Sequence, residues 1–171
     1  MEARPPEEII ELLNEYYTLM FEAISAQGGV VNQMIGDGPM AIFGAPLPLP
    51  EPALAAARAA LDMLEMIELL NAERAGRDQP PIAIGIGIAS GEMIAGYTGT
   101  QTRATYTCIG DTVNLAARLE THTKDAGRSI LVDGETCRAL GSRLPSEALG
   151  PVRFKGKSHP VEVFAIHAGR R

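Results

Sequence analysis

The chain has 171 residues, a length that fits one domain able to bury a core without disulfides or a structural metal. Apolar residues make up 46% and charged residues 21%, an ordinary globular composition that argues against an intrinsically disordered chain. The net charge of −6 argues against a duplex nucleic-acid binder, because phosphate backbones are held by basic surfaces.

Glu7 to Ala26 has helical period, with Ile9, Ile10, Leu13, Tyr16, Tyr17, Met20, Phe21 and Ile24 on one face. Pro5 and Pro6 stand at its start, and Gly28-Gly29 supply a left-handed stop. Val30 to Ile35 and Met40 to Phe43 read as two strands joined by the turn Gly36-Asp37-Gly38. Pro46, Pro48, Pro50 and Pro52 mark a loop. A second helix follows from about Ala53 to Ala75, with the stripe Leu54, Ala57, Leu61, Leu64, Ile67 and Leu70. Ile82 to Ile88 is a strand in which Gly85 and Gly87 leave one face without side chains, so something packs closely there or the strand bends.

The glycines at 91, 96 and 99 predict turns, and Tyr106 to Ile109 a short strand. Gly110-Asp111-Thr112 opens a helix to about Lys124, with Asp111 or Thr112 as N-cap and Gly127 behind it. A strand at Ser129–Val132 and a short helix at Glu135–Leu140 follow. Val152–Phe154 and Val161–Ile166 form a closing hairpin around a Lys155–Pro160 turn. This order predicts an α+β fold with a mostly antiparallel sheet and helices on one side. Cys108 and Cys137 form neither a zinc pattern nor a disulfide framework and read as reduced thiols in a cytoplasmic protein. No secretory signal and no apolar run of about 18 residues is visible.

Few residues carry chemistry on local grounds. Asp37 reads either as a hairpin-turn aspartate or as a carboxylate at a sheet end for a hard cation such as Mg²⁺. Asn114 and Arg118, four apart, share a helix face and suit a phosphate, the amide orienting an oxygen and the guanidinium taking negative charge. Arg128 and Lys155 read locally as solvated cations, and His122, His159 and His167 as surface or packing residues without metal spacing. A P-loop is excluded, as no GxxxxGK[ST] occurs.

Several segments together carry a resemblance. They include Ile35-Gly36-Asp37-Gly38, Met40-Ala41-Ile42-Phe43-Gly44-Ala45-Pro46, Gly85-Ile86-Gly87-Ile88, the block from Tyr106 to Glu120 (YTCIGDTVNLAARLE), Ala126-Gly127-Arg128 and Phe154-Lys155-Gly156-Lys157. In this order they resemble the catalytic domain of class III nucleotide cyclases, the adenylate and guanylate cyclases. The resemblance covers nearly all of residues 1–171 and implies a ferredoxin-like α+β fold. It further implies a head-to-tail homodimer with sites between subunits, and conversion of a nucleoside triphosphate into a 3′,5′-cyclic nucleotide and pyrophosphate with two Mg²⁺ or Mn²⁺ ions. By motif match Asp37 is a metal ligand, Asn114 orients the ribose, Arg118 stabilises the transition state, Arg128 and Lys155 hold the triphosphate, and Thr107 and Gln33 face the base.

The sequence departs from the family at two places. The family's first metal aspartate lies on a strand ahead of the first helix, in a Phe-x-Asp-Ile/Val context absent here. The expectation is therefore a domain lacking its first strand, nearly inactive by itself, within a longer signalling protein. At Gln33 adenylate cyclases usually carry lysine and guanylate cyclases glutamate. An amide leaves the base open, while the hydroxyl of Thr107 points to ATP rather than GTP. The alternative is a non-catalytic homologue that binds nucleotide or a partner subunit.

Overall fold

The computed structural model describes residues 5–35 and 38–167. In chain order the elements are α1 (Pro6–Ala26), β1 (Val30–Ile35), β2 (Gly38–Ile42), α2 (Pro52–Ala75), β3 (Ile86–Ile88), β4 (Ile94–Gly99), β5 (Ala104–Ile109), α3 (Asp111–Ala126), β6 (Ile130–Asp133), α4 (Gly134–Leu140), β7 (Ser146–Val152) and β8 (Val161–Ile166). No helix among the described residues is long and apolar enough to cross a membrane.

The strands form a four-stranded sheet, β3-β6-β8-β7, and two hairpins, β1-β2 and β4-β5. All pairs are antiparallel except β3 with β6. The α+β class with antiparallel sheets and flanking helices is as expected, but the helices do not keep to one side. Ile130 and Val132 of β6 face α2 and α4, packing with Leu54, Ala57, Ala60 and Leu140. Leu131, between them, packs on the other face with Leu115 and Leu119 of α3. An uninterrupted apolar run in a strand needs cover on both faces, and α3 supplies the second. On α2, a second stripe of Ala59, Met63, Ile67 and Leu70 meets Met20, Ala23 and Ile24 of α1. Burial on two sides explains the alanine-rich sequence of α2, since small side chains let helices approach closely.

Four local expectations need correction. Residues 82–85 are not strand, because β6 first pairs at Ile86. Instead the amide of Asn71 donates to the Ile82 carbonyl at 2.9 Å and accepts from its N–H at 2.7 Å. The turns read at Gly96 and Gly99 lie in β4, which pairs with β5 from Ile94↔Ile109 to Gly99↔Ala104. The strand placed at 152–154 is instead Ser146–Val152; Pro151 is accommodated because β7 is an edge strand, and a register shift falls between Ala148 and Gly150. Finally, of the α1 stripe only Met20 and Ile24 are buried, and Ile9, Ile10, Leu13 and Phe21 remain 41–58% exposed.

Leu12, Leu13 and Tyr16 of α1 border an apolar cleft of about 1260 Å³ that also reaches Met40 and Ile42 of β2 and Ile86 of β3. Among the described residues β2 pairs only with β1 and β3 only with β6, so two unpaired strand edges border one cleft.

The bare glycine face of β3 is where α3 docks. A Cβ on Gly87 would lie 2.3 Å from the Ala116 carbonyl oxygen and 2.4 Å from the Glu120 nitrogen. These are backbone atoms of a packed helix and cannot swing aside. Gly87→Ala is expected to destabilise the fold by about 1–3 kcal/mol, read as a fall in Tm of about 2–10 °C. An unchanged melting curve would show that α3 does not press on β3.

Candidate active site

The unit β5–turn–α3 carries three of the residues singled out in the sequence. Thr107 lies half-buried on β5, its hydroxyl 3.0 Å from that of Thr98 on β4. Thr98 sits among glycines that signal turns in the sequence; the alternation Ile94, Gly96, Thr98 opposite a clear strand is the signal that places it on β4. Cys108, the next residue, points to the other face. It is buried with Sγ 3.7 Å from Met40 Sδ of β2, and burial pushes its thiol pKa up. Oriented so that both ends are satisfied, the Asn32 amide donates to the Tyr106 carbonyl and accepts from the Cys108 N–H. This seam stitches β1 to β5 and sets the backbone of Gln33 one residue further along β1, opposite Met40 of β2. Asp37 lies outside the described residues.

The helix that follows starts behind Gly110, with no side-chain cap. The proposed capping by Asp111 or Thr112 is therefore wrong: Thr112 Oγ1 donates instead to the Glu92 carbonyl at 2.8 Å, tying α3 to the loop after β3. At the other end Gly127 takes the left-handed conformation, φ 65°, and its N–H closes on the Thr123 and Lys124 carbonyls.

Asn114 is exposed and Arg118, one turn on, half-buried. The Arg118 guanidinium lies against the turn between β7 and β8, with Nη2 3.2 Å from where a Cβ on Gly156 would sit. That turn is anchored by Phe154, buried with Leu115 and Leu119 and edge-on to the His122 ring at 5.6 Å. Lys155, beside Gly156, is exposed. The structure thus brings Asn114, Arg118 and the Lys155 turn to one surface. Among the described residues none of these three side chains forms a hydrogen bond or ion pair, so their donors are available to a ligand.

Arg128 is elsewhere. It follows the C-terminus of α3, and the eight residue-to-residue rises from Arg118 to Ala126 alone span about 12 Å of helix axis. Its Nε and Nη2 meet Glu147 Oε2 and Oε1 at 3.1 and 3.0 Å, and its Nη1 meets the Gly127 carbonyl at 3.2 Å. His167 Nε2 lies 2.9 Å from the same Glu147 carboxylate. His167 is thus a surface residue, as expected, that also contacts this carboxylate. The hydrogen bond from Arg128 is the main cause holding the Glu147 carboxyl below its usual pKa. Glu147 was not singled out in the sequence, because nothing local links residues 19 apart. Among the described residues no group of three or more His, Cys, Asp or Glu side chains is placed to hold a metal. The residues described do not by themselves make a two-metal centre.

A family model described as the adenylate and guanylate cyclase catalytic domain matches residues 1–168. "Adenylate cyclase 1" of Rhizobium meliloti (strain 1021) is 33% identical over 165 residues, covering 96% of this chain and 25% of that protein. An uncharacterised Mycobacterium tuberculosis protein, Rv1318c, is 36% identical over 166 residues, covering 94% of this chain and 29% of its own. The chain therefore spans between a quarter and a third of the length of these curated relatives. Among solved structures, the adenylyl cyclase CyaB from P. aeruginosa matches with a TM-score of 0.87 at 30% identity, over 100% of this chain and 86% of that one. The guanylyl cyclase Cya2 matches with a TM-score of 0.84 at 29% identity, over 96% and 82%. A match along nearly the whole chain, in sequence and in fold, settles the affiliation: the chain belongs to the adenylate and guanylate cyclase catalytic domain family, the class III nucleotide cyclases.

Proposed function

We propose that the chain converts ATP into 3′,5′-cyclic AMP and pyrophosphate at a site shared by two copies in a homodimer. The observation that carries this reading is the split of the candidate residues. Asn114, Arg118 and the Lys155 turn share one surface, while Arg128 lies at the far end of α3. A head-to-tail pair of identical chains would set the Arg128 end of one against the Asn114 surface of the other, twice over.

In such a site Asn114 orients the ribose, so that its 3′ oxygen faces the α-phosphorus. The 3′ O–P bond forms as the bond from the α-phosphorus to the β-phosphate oxygen breaks. The hydroxyl proton passes to water and pyrophosphate departs. Arg118 presents its planar fork to the charge that grows on the α-phosphate oxygens, an interaction stronger in the transition state than before it. Lys155 and Arg128 hold the triphosphate, and Thr107 offers a hydroxyl to the base. A divalent cation supplies, when bound, acidification of the hydroxyl and neutralisation of phosphate charge; Asp37 is its proposed ligand. The cleft between the unpaired edges of β2 and β3 suits one further strand, on which the family carries its first metal aspartate.

Base choice gives the test. A neutral, rotatable amide at Gln33 satisfies either purine edge in part. The full-length protein is expected to prefer ATP modestly, Gln33→Lys to sharpen that preference and Gln33→Glu to erode it. Cyclic AMP and cyclic GMP output of the three forms decides the matter. A strong preference of the parent for GTP overturns the assignment to ATP, and nucleotide binding without turnover favours a non-catalytic homologue.

A further inference from the structure

The one proposed triphosphate ligand that is already engaged is Arg128, and its partner is a carboxylate. Glu147 lies on edge strand β7 opposite Ala165 of β8, at the α3-facing side of the sheet. Its two oxygens take Nε and Nη2 of Arg128 side by side at 3.1 and 3.0 Å. The remaining nitrogen, Nη1, is turned to the carbonyls of Ala126 and Gly127 at 3.4 and 3.2 Å. All three guanidinium nitrogens are thus occupied from within the chain. A carboxylate bound in this forked way uses the same donor pair that a phosphate would use.

We infer that Glu147 is an internal competitor for the triphosphate: its carboxylate occupies the phosphate-binding edge of Arg128 and must release it before Arg128 engages the substrate. The inference rests on the proposed role of Arg128 in holding the triphosphate. Three features support competition over mere support. The Nε–Nη2 edge is the one that grips an anion bidentately, and it is the edge Glu147 covers. Both partners are partly exposed, at 36% and 39% of their side chains, so the pair is weak enough to be exchanged. His167, 2.9 Å from Glu147 Oε2 and 50% exposed, offers the carboxylate a second partner when Arg128 leaves. The polar side chains meeting at this point are Arg128 beyond α3, Glu147 on β7 and His167 after β8.

Glu147 would therefore act as a positioning residue that sets nucleotide affinity, and its removal should strengthen binding. The probe is inorganic tripolyphosphate, titrated calorimetrically into the full-length protein, alongside KM and kcat for ATP. Glu147→Gln keeps the shape and removes the charge. It is expected to tighten tripolyphosphate about three- to fivefold, the scale of an exposed ion pair, and to lower KM by a similar factor. Arg128→Ala is expected to weaken tripolyphosphate at least tenfold. In the double variant Glu147→Gln should bring no gain, because the group competed for is gone.

If Arg128→Ala weakens binding but Glu147→Gln weakens it as well, Glu147 only braces Arg128 and the competition is refuted. A gain from Glu147→Gln that persists without Arg128 refutes it too, since the effect is then general repulsion of an anion. If Arg128→Ala leaves tripolyphosphate binding unchanged, the triphosphate role of Arg128 fails and the inference with it. Glu147→Asp, which keeps the charge but shortens the reach, guards against misfolding. It should tighten binding less than Glu147→Gln while melting at the same temperature as the parent.

Discussion

Arg118→Ala is expected to lower kcat for cyclic nucleotide formation by about two to three orders of magnitude, the usual cost of removing one preorganised donor from developing charge. The guanidinium sits at the surface of α3 against the Gly156 turn and, among the described residues, bonds to nothing. Removing it therefore leaves no buried group unpaired, and Tm should stay within about 1–2 °C of the parent, as surface changes usually cost little. Arg118→Lys keeps the charge but loses the planar fork, so it should recover only part of the rate. The interaction is assigned to the transition state, so the loss belongs in kcat with KM nearly unchanged. A variant that raises KM with kcat intact would place Arg118 in ground-state binding and overturn its role. Asn114→Ala, one turn away on the same face, should show a comparable loss. The two losses should not simply add, because both residues act on one reacting geometry.

Mixing two dead variants should restore activity. By the proposed arrangement Asp37 and Arg128 come from one subunit, and Thr107, Asn114, Arg118 and Lys155 from the other. In an Asp37→Ala homodimer both sites are damaged, as they are in an Asn114→Ala homodimer. Random exchange at equal amounts makes about half of the dimers mixed, and in each of these one site collects both lesions and the other none. Activity should therefore rise from near zero to roughly one quarter of the parent value, if the two sites work independently. Subunit exchange is checked separately with differently tagged chains. Exchange without recovered cyclic nucleotide would mean that these residues do not meet across an interface, and the shared site would be wrong. The distance along α3 between the Arg118 and Arg128 ends motivates this test, since one chain leaves them apart.

What the sequence determined by itself was the set of elements whose signal is local. The three long helices show in their periodicity and in the prolines and glycines at their ends. The hairpin β1-β2 shows in its apolar strands around Gly36-Asp37-Gly38, and β8 in Val161–Ile166, where expected and observed bounds coincide. The chemistry of Asn114 and Arg118 was also visible, because a helix puts residues four apart on one face. The bare face at Gly85 and Gly87 announced close packing, although only the fold showed that α3 is what packs there. Everything that depends on a distant partner was decided by tertiary structure. Residues 82–85 have strand character but, among the described residues, no neighbouring strand, and Asn71 takes the place of one at Ile82. Gly96 and Gly99 read as turns until β5 lies beside them, because hydrogen bonds to a neighbour, not side-chain propensity, make that strand. The N-terminal half of α1 is amphipathic yet exposed, and of its apolar residues Leu12, Leu13 and Tyr16 border an open cleft. The grip of Glu147 on Arg128 joins residues 19 apart in sequence, and an ion pair leaves no periodicity for a sequence to show.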